Sequence, residues 1–281
     1  MKVWVTGAGG QVGRILIDLL EERGIECFGT TRKEVDIADE EKVLSFANGV
    51  THIVNSAAFT EVDPAEIQRE ESYRANTIGP AVLAKVAGRV GARLVHLSTD
   101  YVFDGKQSRP YVEDDEANPI NWYGHTKREG ELQILKFFPD ACIIRVSWVF
   151  GGFGTKHYVA KVLNLFRQKN TLQFVDDQIG RPTYAPDLGK ALIALLDQTG
   201  IYHYSNRGEL SKYAFTFAIW DWAKRQNVPM VCEKIVPILS NQFPTPAPRP
   251  LYTPLDTTKI EAILPIRSWQ EALAECMCRI D

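Results

Sequence analysis

Residues 2–20 constrain this chain more than any other stretch. Lys2–Thr6 (KVWVT) is short, apolar and rich in β-branched side chains, the composition of a buried strand. Gly7-Ala8-Gly9-Gly10-Gln11-Val12-Gly13 follows at once, and Ile15, Leu16, Ile17, Leu19 and Leu20 then fall in a helix-like distribution. A strand that enters a helix through a glycine turn points to a parallel sheet covered by helices. In that turn Gly7 permits the tight reversal, Gly10 leaves room for a pyrophosphate, and Gly13 lets the helix approach the sheet closely. Free amides at the helix start attract the pyrophosphate. The spacing is G-x-x-G-x-x-G, shifted from the G-x-G-x-x-G of the usual dinucleotide turn, so the loop alone leaves a purely structural role open.

At 281 residues the chain is long enough for one large α/β domain or one domain with a smaller partner. A net charge of -3 gives no reason to expect nucleic-acid or membrane partners. No apolar run approaches a membrane span, and the first residues start a strand where a signal peptide would need a basic region and an apolar core. A cytoplasmic protein is expected. Cys27, Cys142, Cys232, Cys276 and Cys278 fit neither a disulfide framework nor a CxxC pair, and the five histidines form no zinc-ligand spacing. No metal is expected.

A second strand is expected over 25–30. An acidic residue at its end would bind adenosine ribose hydroxyls and disfavour a phosphate there. This chain has Thr30-Thr31-Arg32-Lys33 instead, with no acid before Glu34. Two hydroxyls and two cations suit the 2′-phosphate of NADPH, with Arg32 as its anchor; a solvated basic turn is the other possibility. NADPH is the expected cofactor, with NADH use left open. Residues 34–39 form a short connection in which Asp36 and Ile37 border the adenine. A helix is expected over 40–46 and a strand over His52–Asn55, ending in small residues that let a cofactor pass close to the backbone. Residues 72–90 read as one long helical segment, in which Pro80 signals either a kink or a late start.

The next strand, over 93–97, runs into Ser98-Thr99-Asp100-Tyr101, placing hydroxyls at the edge of the same cleft. A polar, proline-interrupted loop over 106–122 then delivers Tyr123 and Lys127, four residues apart on one helical face. A free phenol, with a pKa of about 10, is a sluggish acid at neutral pH. A neighbouring ammonium would lower that value and ease proton donation to a developing alkoxide. Tyr-x-x-x-Lys is weak by itself and gains force from the glycine turn and strand ends before it.

A strand over 141–149 brings Trp148 near its carboxyl end, where an indole can stack on a sugar face or simply fill a core. Residues 150–154 form a glycine-rich turn, with helices over 159–166 and 187–196 and a late strand over 201–204. An aromatic-rich helix over 213–225 reads as packed core. Pro244, Pro246, Pro248 and Pro250 make the next stretch extended or looped, a rigid wall of the second domain, and 269–276 is a closing helix. The expected fold class is α/β, a Rossmann-type doubly wound parallel sheet with a smaller, mainly C-terminal substrate-binding domain. The nucleotide domain is assigned to 1–149 plus 179–205, and the substrate domain to 150–178 plus 206–281.

Together TGAGGQVG, NSAAFTEVDPAE, STDYVFDG, NPINWYGHTK, RVSWVFG, DQIGRPT and APRPLYTPLD span residues 3 to about 258. They resemble the extended branch of the short-chain dehydrogenase/reductase family and, within it, the dTDP-4-dehydrorhamnose reductase family. The resemblance implies reduction of the 4-keto group of dTDP-4-dehydro-L-rhamnose, a dTDP-sugar substrate, with Thr99, Tyr123 and Lys127 as the catalytic set. It implies cofactor contacts from Gly7, Gly10, Gln11, Val12, Gly13, Arg32, Asp36, Ile37, Ala57, Ala58, Thr60, Tyr123 and Lys127. Substrate contacts are implied for Thr99, Asp100, Trp148 and, on the diphosphate, Arg249. Some family members place a glutamate where this chain has Ile15, using it to bind magnesium at a dimer interface. Neither that metal nor that dimer is carried over, and a monomer or weak homodimer is expected. His157-Tyr158 replaces the usual Asn-Phe, and Thr253 replaces a serine. Alternatives are a reductase or epimerase for another nucleotide-linked keto-deoxysugar, and a non-catalytic subunit resembling the regulatory beta subunit of methionine adenosyltransferase.

Overall fold

The computed structural model describes residues 1–152 and 157–279, so the turn expected over 150–154 lies partly outside the described residues. Six strands, β1 (Lys2–Thr6), β2 (Glu26–Thr30), β3 (His52–Asn55), β4 (Arg93–Thr99), β5 (Cys142–Val146) and β6 (Gly200–Tyr204), form one sheet. All pairings are parallel, in the order β6-β5-β4-β3-β1-β2. The chain steps outward from β1 to β2 and then returns to its other side as β3. That reversal opens a crevice beyond the carboxyl ends of β1 and β3, where ligands bind in such sheets.

Both faces of the sheet are covered, which is why its strands are apolar almost throughout rather than alternating. Val3 and Val5 point to one face, where Leu16 and Leu20 of α1 (Gln11–Glu22) and Leu188 and Leu192 of a later helix, Ala185–Ala194, close on them. Trp4, between them on β1, points the other way. It packs in the layer made by Val43 of α2 (Glu40–Ala47), Leu83 and Val86 of α3 (Gly79–Val90) and Ile134 of α4 (Trp122–Phe137). Each such aliphatic side chain, fully withdrawn from water, contributes about 1.5–3 kcal/mol. A third apolar cluster lies away from the sheet and joins Phe150, Phe166, Leu172, Phe215, Ile219 and Leu273. Ile260 and Ile266, which the expected division gave to the substrate domain, pack instead on the sheet beside Leu188 and Tyr202.

Three expectations are refined. The segment 72–90 is not one helix: Arg69–Tyr73 is followed by a π turn at Arg74–Ile78, and α3 begins at Gly79. Pro80 cannot donate a backbone hydrogen bond and its ring crowds the carbonyl of Asn76, so the turn widens there. The displaced Asn76 carbonyl faces Gly130 of α4, where any Cβ would collide with it. The strand expected over 141–149 ends at Val146, and Val149–Phe150 pairs separately with Thr183–Tyr184. The proline-rich stretch does not only wall the second region. Asn121 donates to the Pro248 carbonyl (2.9 Å), and Pro250 packs on Gly105, which its φ of +75° and this contact both require.

One buried ionic knot ties α4 to the sheet. The Glu131 carboxylate accepts from Arg145 of β5 (2.8 and 2.9 Å), Ser98 of β4 (2.5 Å) and Arg128 (2.8 Å), with Glu131 0% and Arg145 1% exposed. Burial alone would raise this carboxyl, but Arg145, Ser98 and Arg128 together bring it down to about 2. Glu131→Gln leaves a guanidinium buried with its charge unpaired and is expected to cost about 3–5 kcal/mol at neutral pH. The native carboxyl titrates below its unfolded value of about 4.3, so its contribution is complete above that pH and fades as pH falls towards 2. Urea denaturation of parent and variant at neutral pH and between about pH 4 and about pH 2.5 should show the gap shrinking only in the acid range.

Candidate active site

A cleft of about 990 Å³ runs along the carboxyl ends of β1, β3 and β4. Gly7, Gly10, Gln11, Val12 and Gly13 form its floor. The glycines are needed for different reasons than phosphate clearance alone. Gly7 has φ +69°, and a Cβ there would lie 2.6 Å from the Ala57 amide nitrogen; a Cβ on Gly13 would lie 2.5 Å from the Gly7 carbonyl. These two let the turn press onto the end of β3. Gly10 is the N-cap of α1 and has no side chain to satisfy the first-turn amides, and no acid occupies that turn. The helix start therefore presents unneutralised donors to the cleft, a cradle suited to a pyrophosphate.

Thr30, Thr31, Arg32, Asp36 and Ile37 line one end of the cleft, and Ala57, Ala58 and Thr60 line its wall. The wall is held from behind by Asn76, whose side chain accepts from the Phe59 amide (2.8 Å) and donates to its carbonyl (3.0 Å). Arg32 is ion-paired with Glu71 at 2.6 Å, and Asp36 with Arg74 at 2.9 Å. Glu71 and Arg74 also line the cleft and were not anticipated; no local pattern marks them, because the Arg69–Ile78 segment brings them there only in the folded chain.

Thr99, the last residue of β4, donates to the Asp100 carboxylate (3.1 Å) and accepts from the Tyr101 amide (3.2 Å). Tyr123 lies in the first turn of α4, capped by Asn121, whose side chain accepts from the Gly124 amide (2.8 Å). Gly124 is what lets this turn approach Thr99, since a Cβ there would enter the Tyr101 carbonyl. Thr99, Asp100, Tyr123 and Lys127 all face the cleft. Burial drives the Tyr123 phenol up to about 12; hydrogen bonding with Thr99 acts downward and the Asp100 charge upward.

Lys127 does not lower Tyr123 here, contrary to expectation. Its Nζ donates instead to the Leu97 carbonyl (2.5 Å) and meets His96 Nε2 at 3.3 Å. Asn55 uses its oxygen to accept from Thr6 (2.7 Å) and Ala57 (3.1 Å), leaving its NH2 towards His96 Nδ1 at 2.9 Å. With Nδ1 accepting, the neutral ring carries its proton on Nε2 and sets a donor against the lysine's own donors. The 3.3 Å approach is therefore a contact, and the Leu97 carbonyl is the acceptor that holds Lys127. Burial, opposed by Glu131, draws Lys127 down to about 8.

At the other end Trp148 adopts φ +46°, with its indole packed against Gly180, where a Cβ would lie 2.7 Å from the ring. Lys212 Nζ stands 3.4 Å from the Trp148 ring centroid. Lys212 was missed: it is the first residue of α-helix Lys212–Arg225 and carries no motif. Asp100 is 2% exposed, and burial raises it to about 6 against the pull of Thr253, Lys212 and Thr99. Arg249 is not among the lining residues. It is held by Asp63 (2.8 Å from Nη2) and by the Ala247 carbonyl, because the proline-rich stretch folds back onto the helical turn Val62–Ala65. His157 is buried and caps the following helix, and Tyr158 shares a hydrogen bond of 2.6 Å with Thr216.

A glycine turn feeding a parallel sheet, with a threonine, a tyrosine and a lysine converging on the same crevice, defines a nicotinamide-dependent reductase of the extended short-chain type. The family model for the RmlD substrate binding domain matches residues 1–281, and the chain belongs to that family. It is 37% identical over 285 residues to a dTDP-4-dehydrorhamnose reductase of Mycolicibacterium smegmatis, covering 99% of this chain and 86% of that one. It is 42% identical over 278 residues to the spore coat polysaccharide biosynthesis protein SpsK of Bacillus subtilis, covering 98% and 96%. A dTDP-4-dehydrorhamnose reductase from Bacillus anthracis, solved in complex with NADP, superposes with a TM-score of 0.92 at 32% identity, covering 99% of both chains. No helix among the described residues is long and apolar enough to cross a membrane.

Two glycines give contrasting expectations. Gly124→Ala forces α4 off the Tyr101 carbonyl and should destabilise by about 1–3 kcal/mol. Gly88→Ala, exposed in α3 with 3.6 Å to its nearest neighbour, should stabilise by about 0.4–1 kcal/mol. Thermal denaturation of the two variants beside the parent checks the pair.

Proposed function

We propose that this chain reduces the C4 ketone of dTDP-4-dehydro-L-rhamnose to give dTDP-L-rhamnose, the last step of dTDP-rhamnose synthesis, using NADPH. The observation that carries this is the convergence of Thr99, Tyr123 and Lys127 on one cleft that also holds the glycine turn and Trp148. In this reading the first-turn amides of α1 hold the pyrophosphate. Arg32, with Thr30 and Thr31, holds the ribose phosphate, and Ala57, Ala58 and Thr60 flank the rest of the cofactor. Bound NADPH supplies a hydride to the sugar C4.

Tyr123 is the acid. A phenol held near 12 is fully protonated at neutral pH, so it meets the ketone with its proton in place. Thr99 hydrogen-bonds the same oxygen and orients the phenol. Lys127 exchanges its Leu97 carbonyl for the nicotinamide ribose hydroxyls, and its charge then favours the tyrosinate left after proton transfer. Trp148 and Asp100 border the sugar. The nucleotide-binding part is residues 1–149 with 179–205, and the substrate part is 150–178 with 206–281, apart from the stretch around Ile260 and Ile266 that returns to the sheet.

The direct assay follows reduced-nicotinamide absorbance with purified protein, NADPH or NADH, and substrate generated fresh by the rhamnose-forming epimerase. Oxidation that depends on both protein and epimerase is the expected result. Tight NADPH binding without oxidation would turn the reading to another keto-deoxysugar, or to a regulatory subunit if none is turned over. Tyr123→Phe should nearly abolish turnover with NADPH affinity kept. Arg32→Ala should weaken NADPH about tenfold or more relative to NADH, the scale of one charge-assisted phosphate contact. Equal losses for the two cofactors would remove Arg32 from that role.

A further inference from the structure

The cations around the cleft are not equivalent. Arg32, Arg74 and Arg249 are ion-paired with Glu71, Asp36 and Asp63. Among the described residues no carboxylate lies within ion-pair distance of Lys212 Nζ, although the side chain lines the cleft. Its ammonium rests on the indole of Trp148, 3.4 Å from the ring centroid, and 5.1 Å from that of Tyr158. An aromatic face is a weak substitute for a counter-ion, worth about 0.5–2 kcal/mol. Burial pulls the ammonium down to about 7; Asp100 acts against that, and the Arg249 guanidinium adds to it. Among the described residues Lys212 thus lines the cleft with no carboxylate in contact with its charge, as does Lys161, but only Lys212 stands against Trp148; Arg249, behind the lining, is neutralised by Asp63.

The backbone aims this charge inward. Lys212 opens a helix of 14 residues whose N-cap, Ser211, accepts from the Ala214 amide (2.9 Å), and the Lys212 amide donates to the Gln178 carbonyl (3.2 Å). The side chain therefore leaves from a fixed first turn, with the positive end of the helix behind it. It reaches the space between Trp148 and Asp100, the latter adjoining Thr99. A pyranose with its C4 oxygen at Thr99 and Tyr123 carries its anomeric phosphate across the ring, at the far side of this space.

We propose that Lys212 is the residue that binds the sugar-linked phosphate of the substrate, moving off Trp148 to do so. This rests on the nucleotide-sugar reading above, and goes beyond it by assigning the diphosphate to Lys212 in place of Arg249. Leaving the indole, the ammonium also uncovers the ring face it now occupies, so the phosphate and the sugar are admitted together.

The test is calorimetric titration of dTDP and dTMP into the protein saturated with NADP, for the parent, Lys212→Met and Lys212→Arg. A charged hydrogen bond to phosphate corresponds to about a 10- to 100-fold change in dissociation constant. Lys212→Met should weaken dTDP by about that factor, dTMP by less than about threefold, and Lys212→Arg should restore dTDP to within about threefold of the parent. NADP affinity equal to the parent's shows that the variant is folded, with Lys212→Gln in its place should it not be. A dTDP loss below threefold, an equal loss for dTMP, or no dTDP binding by the parent overturns the assignment. The titration does not require turnover. A parent that binds dTDP through Lys212 yet reduces no keto sugar would overturn the proposed reaction and leave Lys212 in place.

Discussion

The buried contact between Glu131 and Arg145 is what the chemistry of this molecule depends on. It is a costly arrangement to bury, tolerable only because Ser98 and Arg128 satisfy the remaining lone pairs. Each of its members is next to something in the cleft. Ser98 precedes Thr99, Glu131 follows Lys127 by one turn of α4, and Tyr123 is one turn earlier still. A single ionic knot behind the sheet therefore sets the separation of three side chains in front of it. An apolar contact of equal strength would permit α4 to slide or rotate; a forked guanidinium on a carboxylate fixes direction as well as distance.

The six strands were legible because each is a short apolar run between clear breakers, and the glycine turn fixed where the cleft would lie. The catalytic trio was legible for a related reason: Tyr123 and Lys127 are four apart on one helix, and Thr99 ends a strand. Contacts made across the chain were not. Asp63 takes Arg249, Glu71 takes Arg32, and Lys212 arrives from a helix that begins far from any motif. Nothing at sequence spacing announces these partners. Protonation was misjudged for the same reason, since the lysine charge was placed beside the phenol by helical spacing alone. In the fold, the Leu97 carbonyl takes it.

Conformational exceptions cluster around the cleft and have local causes. Pro80 forces the π turn, which throws Asn76 towards the loop at Phe59 and so shapes the wall beside Ala57. Trp148 takes a left-handed backbone conformation at the break between β5 and the short strand Val149–Phe150, with its ring packed against Gly180. A bulky residue pays strain for such a backbone. Here the strain buys an indole presented to the pocket rather than stored in the core.

The return of Ile260 and Ile266 to the sheet bears on how the molecule comes into being. Both belong to the same buried apolar cluster as Leu188, Leu192 and Tyr202. During synthesis the nucleotide-binding half would thus emerge before part of its apolar cluster, which a segment made later completes. The two lobes are separable as descriptions of binding, but they are not separable as pieces: cutting away the C-terminal region removes part of the sheet's own cover.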